Sequence, residues 1–155
     1  KVNEYQEACF VRQMVRVMFN TVADKRIALF GFAFKADTGD TRESPAIYVA
    51  RRLLEEHARL IVTDPKALDN ARADLGDRSD RVEFVEDPYE AAKGAHAIAV
   101  LTEWSQYRKL DYGRVFAYME KPAFVFDGRN LLDHQKLFDI GFSVFPIGRA
   151  SLRHF

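Results

Sequence analysis

The chain has 155 residues, 48% of them apolar, 30% charged and 13% aromatic, which suits one domain whose core needs neither metal nor disulfide. Lys and Arg total 23 and Asp and Glu total 23, so the basic excess expected of a domain that grips nucleic acid through phosphates is absent. A lone cysteine, Cys9, rules out an internal disulfide framework, and no run of about 18 apolar residues offers a membrane span. The polar segment Lys1 to Phe10 lacks a signal-like apolar block, and no Asn-x-Ser/Thr acceptor occurs. A reducing, cytoplasmic setting is the expectation. The first residue is not Met, so a fragment of a longer chain is also expected.

Tyr5, Ala8, Val11, Val15, Met18 and Val22 recur at three- and four-residue steps, with charged residues between them. They predict an amphipathic helix, broken between Asn20 and Lys25. Such a helix either packs on the domain behind it or is the tail of a longer one. Arg26 to Gly31 reads as a buried strand. Ser44-Pro45 then opens a helix as N-cap and first helical residue, with Ile47, Ala50, Leu53 and Leu54 as its apolar face.

Arg59 to Thr63 is the next strand, Ala67 to Leu75 a helix, and Val82 to Val85 a short strand. Asp87-Pro88 caps a short helix, Tyr89 to Lys93, closed by Gly94. Strands at His96–Leu101, Ala123–Phe126 and Phe142–Ile147 alternate with helices at Asp111–Met119 and Leu131–Ile140. Uniformly apolar strands alternating with helices predict a three-layer, Rossmann-like α/β domain. It holds a six-stranded parallel sheet preceded by one long helix.

In such a sheet, ligands bind beyond the carboxyl ends of the strands. The loop after the first strand is Gly31-Phe-Ala-Phe-Lys-Ala-Asp-Thr-Gly-Asp-Thr-Arg-Glu-Ser44. It lacks the glycines of a dinucleotide fingerprint, since positions 33 and 36 are Ala. It carries Lys35 and Arg42 beside a helix N-terminus, a plausible phosphate site. The alternative is that both cations pair with Asp37, Asp40 and Glu43. Phe32 and Phe34 leave opposite faces of an extended chain, so one belongs in the core and the other is available to a flat base or sugar, unless both are core. Arg129, after Asp127-Gly128, either aims a fork of donors over the sheet or is a surface arginine. Trp104, after strand four, fits the core edge better than a pocket wall, and Glu103 is placed to pair with a loop cation. Asp64 fits a cap ahead of Pro65. The four histidines are scattered, without metal-ligand spacing, and Cys9 fits a small apolar packer.

The loop from Gly31 to Tyr48 closely resembles the signature that opens the C-terminal domain of UDP-glucose 6-dehydrogenases. Asp64-Pro-Lys66, Asp87-Pro-Tyr-Glu-Ala91, Gly94-Ala-His-Ala97, Thr102-Glu-Trp104, Leu110-Asp-Tyr112 and Lys121 to Arg129 follow in matching order. Val2 to Val22 resembles the end of that family's central helix. The resemblance implies an end-of-helix segment at 1–23 and a UDP-sugar-binding domain at 24–155. It implies a full enzyme that oxidises UDP-glucose to UDP-glucuronate with two NAD. By residue match, Phe34, Lys35 and Arg129 contact the UDP-sugar, and Arg42 reaches toward the NAD phosphates. The family's catalytic cysteine, its partners and the main NAD site lie upstream of these residues, so no catalytic residue is expected here and the fragment alone should not turn over. A homo-oligomer through the central helix is implied as well. The rivals are a sister dehydrogenase acting on GDP-mannose or UDP-N-acetylmannosamine, a non-catalytic flavodoxin-like interaction domain, and a true NAD-binding domain, which the missing glycines disfavour.

Overall fold

The computed structural model describes residues 2–42, 44–76 and 80–155, with side chains from residue 6 onward in the first helix. Six strands form one all-parallel sheet: β1 (Arg26–Phe30), β2 (Arg59–Thr63), β3 (Val82–Phe84), β4 (Ala97–Val100), β5 (Phe124–Asp127) and β6 (Ser143–Pro146). Their spatial order is β3-β2-β1-β4-β5-β6, so the direction of winding reverses between β1 and β4. Register runs Ala28 beside Ile61 and Ile98, and Val125 beside Val144. β4, β5 and β6 are buried at every residue, and β1 and β2 at every residue after the first, as a sheet covered on both faces requires.

The helices are α1 (Val2–Val17), α2 (Pro45–Glu55), α3 (Leu68–Asp74), α4 (Pro88–Ala92), α5 (Tyr112–Tyr118) and α6 (His134–Ile140). Helix α4 packs on α5 and α5 on α6, one outer layer, while α1 lies beside α2. Right-handed crossovers wound in opposite directions put helices on opposite faces, which leaves the α2 face of β4 to β6 without a crossover helix. Helix α1 covers it. Its Phe10 ring meets Phe126 of β5 edge-on at 6.4 Å, and Phe19, just past the helix, meets Phe124 at 6.1 Å. Phe10, Val11, Met14, Val17 and Met18 thereby join the single hydrophobic core.

Cap chemistry sets most helix starts. Ser44, Asp87, Asp111 and Asp133 each accept a backbone N–H of the first turn. The predicted and observed elements differ in a few places. Helix α1 stops at Val17 because Phe19 and Asn20 turn left-handed, with φ of 69° and 67°; Val22 is buried all the same, outside the helix. The buried face of α2 is Ala46, Val49, Ala50, Leu53 and Leu54, one step round from the expected set, so Ile47 is only half-buried. Helix α6 begins three residues later than expected, at the Asp133 cap. A 3₁₀ turn at Ser105–Lys109 has no apolar period to announce it.

Candidate functional site

Beyond the carboxyl ends of β1, β4 and β5, at the reversal of strand order, lies a cavity of about 580 Å³. Phe34 and Lys35 come to it from the loop after β1, Leu101 and Glu103 from the loop after β4, Gly128 and Arg129 from the loop after β5. Gln6, Glu7 and Phe10 of α1 close one side, and Pro45 and Val49 of α2 another. Two separated stretches of sequence thus deliver an aromatic ring and two cations to one concavity, and a third brings Glu103.

The loop after β1 is held rather than draped. Gly31 has φ of +100°, and a Cβ there would lie 2.5 Å from the Thr102 Cβ, so only glycine lets β1 end this close to the loop after β4. Phe32 N and Ala33 N both donate to Asp64 Oδ2, at 2.7 and 3.0 Å. The other carboxylate oxygen accepts from Lys66 N and Ala67 N, each at 2.8 Å, and Trp104 Nε1 donates to Oδ2 at 3.2 Å. Asp64 does cap the turn after Pro65, as expected, but it also fastens three loops together. Its reach to Phe32 spans 32 residues of sequence, which no local signal could disclose. Phe32 is fully buried and Phe34 is 43% exposed, so the two rings divide as an extended chain requires. Trp104 is core, its ring buried and its N–H satisfied.

Lys35 is exposed at the cavity and has no ion-pair partner among the described residues. Arg129 donates from Nε and Nη2 to Glu103 Oε1, at 2.9 and 2.6 Å, which joins the loops after β4 and β5. Glu103 therefore takes a loop cation, and that cation is Arg129. The Arg129 backbone N–H is fixed by the buried Asp127 carboxylate, which also accepts from Leu132 N and pairs with His134 Nε2 at 2.8 Å. Arg129 is consequently held at both backbone and side chain. Gly128 passes so near the neighbouring strand that a Cβ would sit 3.0 Å from Val100 O.

Arg42 does not line the cavity. It lies on the outer part of the loop, 87% exposed, and donates to Asp40 from Nε and Nη2. Those bonds hold the Asp40 carboxyl down at about 2. This is the pairing that the alternative reading of the loop cations foresaw; Glu43 lies outside the described residues. Cys9 accepts a hydrogen bond from Arg12 Nη2 at 3.1 Å on α1. Among the described residues no three His, Cys, Asp or Glu side chains gather as a metal site requires, and no helix is long and apolar enough to cross a membrane.

The sequence profile of the UDP-glucose/GDP-mannose dehydrogenase family, UDP binding domain, matches residues 28–134. UDP-glucose 6-dehydrogenase 1 of Arabidopsis thaliana is 47% identical over 168 aligned residues, and UDP-glucose 6-dehydrogenase 5 of Oryza sativa subsp. japonica 47% identical over 167. Each alignment covers 96% of this chain and 35% of the relative, so the chain spans about a third of the curated proteins it matches. Among solved structures, a UDP-glucose dehydrogenase from the archaeon Pyrobaculum islandicum superimposes with a TM-score of 0.72 at 33% identity, over 92% of this chain and 31% of that one. The NDP-N-acetyl-D-galactosaminuronic acid dehydrogenase of Methanosarcina mazei Go1 gives 0.76 at 21% identity, over 98% and 30%, a likeness of fold alone.

Proposed function

The chain belongs to the UDP-glucose/GDP-mannose dehydrogenase family, whose UDP binding domain its residues 28–134 match, and from that premise we propose that its cavity holds the UDP part of UDP-glucose. The observation that carries the reading is the convergence of Phe34, Lys35 and Arg129 on one concavity at the switch point of the sheet. A half-exposed ring offers a face to a base or sugar. An ammonium without an ion-pair partner among the described residues and a guanidinium fixed at its Nε edge offer charged donors to a diphosphate. Lys35 is the mobile point charge and Arg129 the pre-set fork.

The proposed whole enzyme is a UDP-glucose 6-dehydrogenase that oxidises UDP-glucose to UDP-glucuronate with NAD, its reacting groups outside this chain. Within it the nucleotide is a spectator to the chemistry, and binding energy from a remote spectator orients the reacting sugar. Residues 24–155 form the UDP-sugar module in this reading. Residues 1–23 end a central helix through which copies of the chain associate, and a cytoplasmic setting follows from nucleotide-sugar metabolism.

The end of β1 does not fit an NAD pyrophosphate. Phe32 N and Ala33 N, the donors that a dinucleotide fold turns toward phosphate, are both engaged by Asp64. Ser44 Oγ already caps the following helix. NAD is therefore assigned to the rest of the enzyme, with Arg42 proposed to reach its phosphates from the rim of the loop.

The test is a calorimetric titration of the chain with UDP, GDP and NAD. Saturable binding of UDP, with GDP and NAD weaker, supports the reading. Tighter binding of GDP moves the substrate to a sister nucleotide sugar, and tighter binding of NAD overturns the assignment.

A further inference from the structure

We propose that Asp64, Ser44 and Thr102 are positioning residues: a buried polar clamp on Phe32 and Ala33 that presets Phe34 and Lys35 for the nucleotide. The inference rests on the reading of the cavity as a UDP site and adds how that site is kept in shape.

Every polar atom of the backbone dipeptide 32–33 has a side-chain partner. Asp64 Oδ2 accepts both N–H groups. Ser44 Oγ donates to Phe32 O at 2.9 Å, and Thr102 Oγ1 donates to Ala33 O at 2.8 Å. The three side chains come from three places in the chain, the ends of β2 and β4 and the start of α2, and all are buried. Buried polar side chains cost free energy unless satisfied, and a fully satisfied group fixes one geometry. The next residue, Phe34, donates its N–H to Asp40 O at 2.7 Å, which closes the loop on the far side. Phe34 and Lys35 thus leave a rigid root, not a hinge. An exposed lysine on a loose loop loses much of its contact to a phosphate in ordering itself; a rooted one loses less.

Apolar residues at these positions would leave the buried N–H and C=O groups of residues 32 and 33 without partners, so the clamp is needed for this path of the backbone. It sits where the loop turns toward the cavity. Asp127 repeats the arrangement on the neighbouring loop, its buried carboxylate holding the Arg129 backbone.

The experiment is a double-mutant cycle on the full chain, read by UDP titration beside thermal melting. Asp64→Asn replaces one acceptor oxygen by a donor that faces existing N–H groups. It is expected to weaken UDP binding about 10- to 100-fold while melting stays cooperative. The decisive reading is its coupling to Lys35→Ala. If the clamp acts through the loop that carries Lys35, the double variant binds little worse than Asp64→Asn alone. With Arg129→Ala, which stands on another loop, the two losses multiply. Thr102→Val keeps the shape and removes one O–H; it carries the same cycle, with a smaller loss, should Asp64→Asn fail to fold. UDP binding unchanged in variants that merely melt lower overturns the clamp, as do losses with Lys35→Ala that multiply in full. An unmutated chain that binds no UDP overturns the underlying reading of the cavity, and the clamp with it.

Discussion

Replacing Arg129 by Ala removes more than one contact. In the structure two N–H groups of the guanidinium hold Glu103, and the proposed role gives its remaining donors to the diphosphate. A hydrogen bond to a charged group contributes about 1.5–3 kcal/mol. At about 1.4 kcal/mol per decade, the loss in UDP affinity is roughly 10- to 150-fold. The upper part of that range is expected, because the substitution also leaves the Glu103 carboxylate without its partner, facing an anionic ligand. Arg129→Lys should fall between the two, since an ammonium keeps the charge and loses the fork. Adding Glu103→Gln to Arg129→Ala should recover part of the loss, since it removes the stranded charge. The assay is calorimetric titration with UDP at two ionic strengths; the unmutated chain should show the steeper salt dependence. A Kd for Arg129→Ala within about twofold of the unmutated value refutes the assignment of Arg129 to the nucleotide.

Three other outcomes follow from the packing. Gly31→Ala forces a side chain into a left-handed backbone and against Thr102, where a Cβ has 2.5 Å of room; strain and overpacking together cost about 2–6 kcal/mol, so melting should fall by roughly 4–24 °C, and an unchanged Tm contradicts the close approach. Phe126→Ala empties a fully buried site between Phe10 and Phe145 and should destabilise by about 3–5 kcal/mol; a loss well below about 1 kcal/mol in denaturant unfolding would mean that α1 does not seat on β5 as described. Burial lowers the pKa of His96, whose Nδ1 accepts from Arg26 N at 3.1 Å. The folded value lies below the unfolded one of about 6.5, so the unfolded chain takes up the proton first, and stability present above that pH is lost as pH falls through the folded value. Melting temperature should therefore drop from about pH 8 to about pH 5.5, and His96→Asn, which keeps an acceptor that does not titrate, should flatten the drop; equal slopes in the two proteins exclude His96 as its source.

The fold was legible because its signals are local. Strand β2 runs from Arg59 to Thr63, as its apolar run indicates, and Ser44-Pro45 and Asp87-Pro88 start helices where a cap followed by proline should. The boundaries that shifted did so through long-range packing. Helix α1 could have run on to Val22 by periodicity alone, but Lys25 Nζ donates to Met18 O and Thr21 O and draws the chain into a turn. The candidate site was legible as separate residues and not as an assembly. Places after strands singled out Lys35 and Arg129 but left Phe32 and Phe34 open and each cation with a surface alternative; the family resemblance named Phe34, Lys35 and Arg129, and the strand order brings them to one cavity. The part of α1 in the cavity wall, the pairing of Arg129 with Glu103, and the several bonds of Asp64 depend on contacts between segments tens of residues apart. An acid at the end of a strand was the one available hint of the last of these.

Trp104 is the only tryptophan of the chain, and its indole N–H rests on the carboxylate that joins the loops after β1, β2 and β4. The molecule thereby carries its own optical reporter at the seam between sheet and cavity. Far-ultraviolet circular dichroism averages over all six strands and the helices, whereas indole emission senses this junction alone. If the two signals change together on heating, the cavity rim and the sheet melt as one unit. If emission changes first, the ligand end opens while the sheet persists, and the gap between the two curves measures the free energy of that local opening.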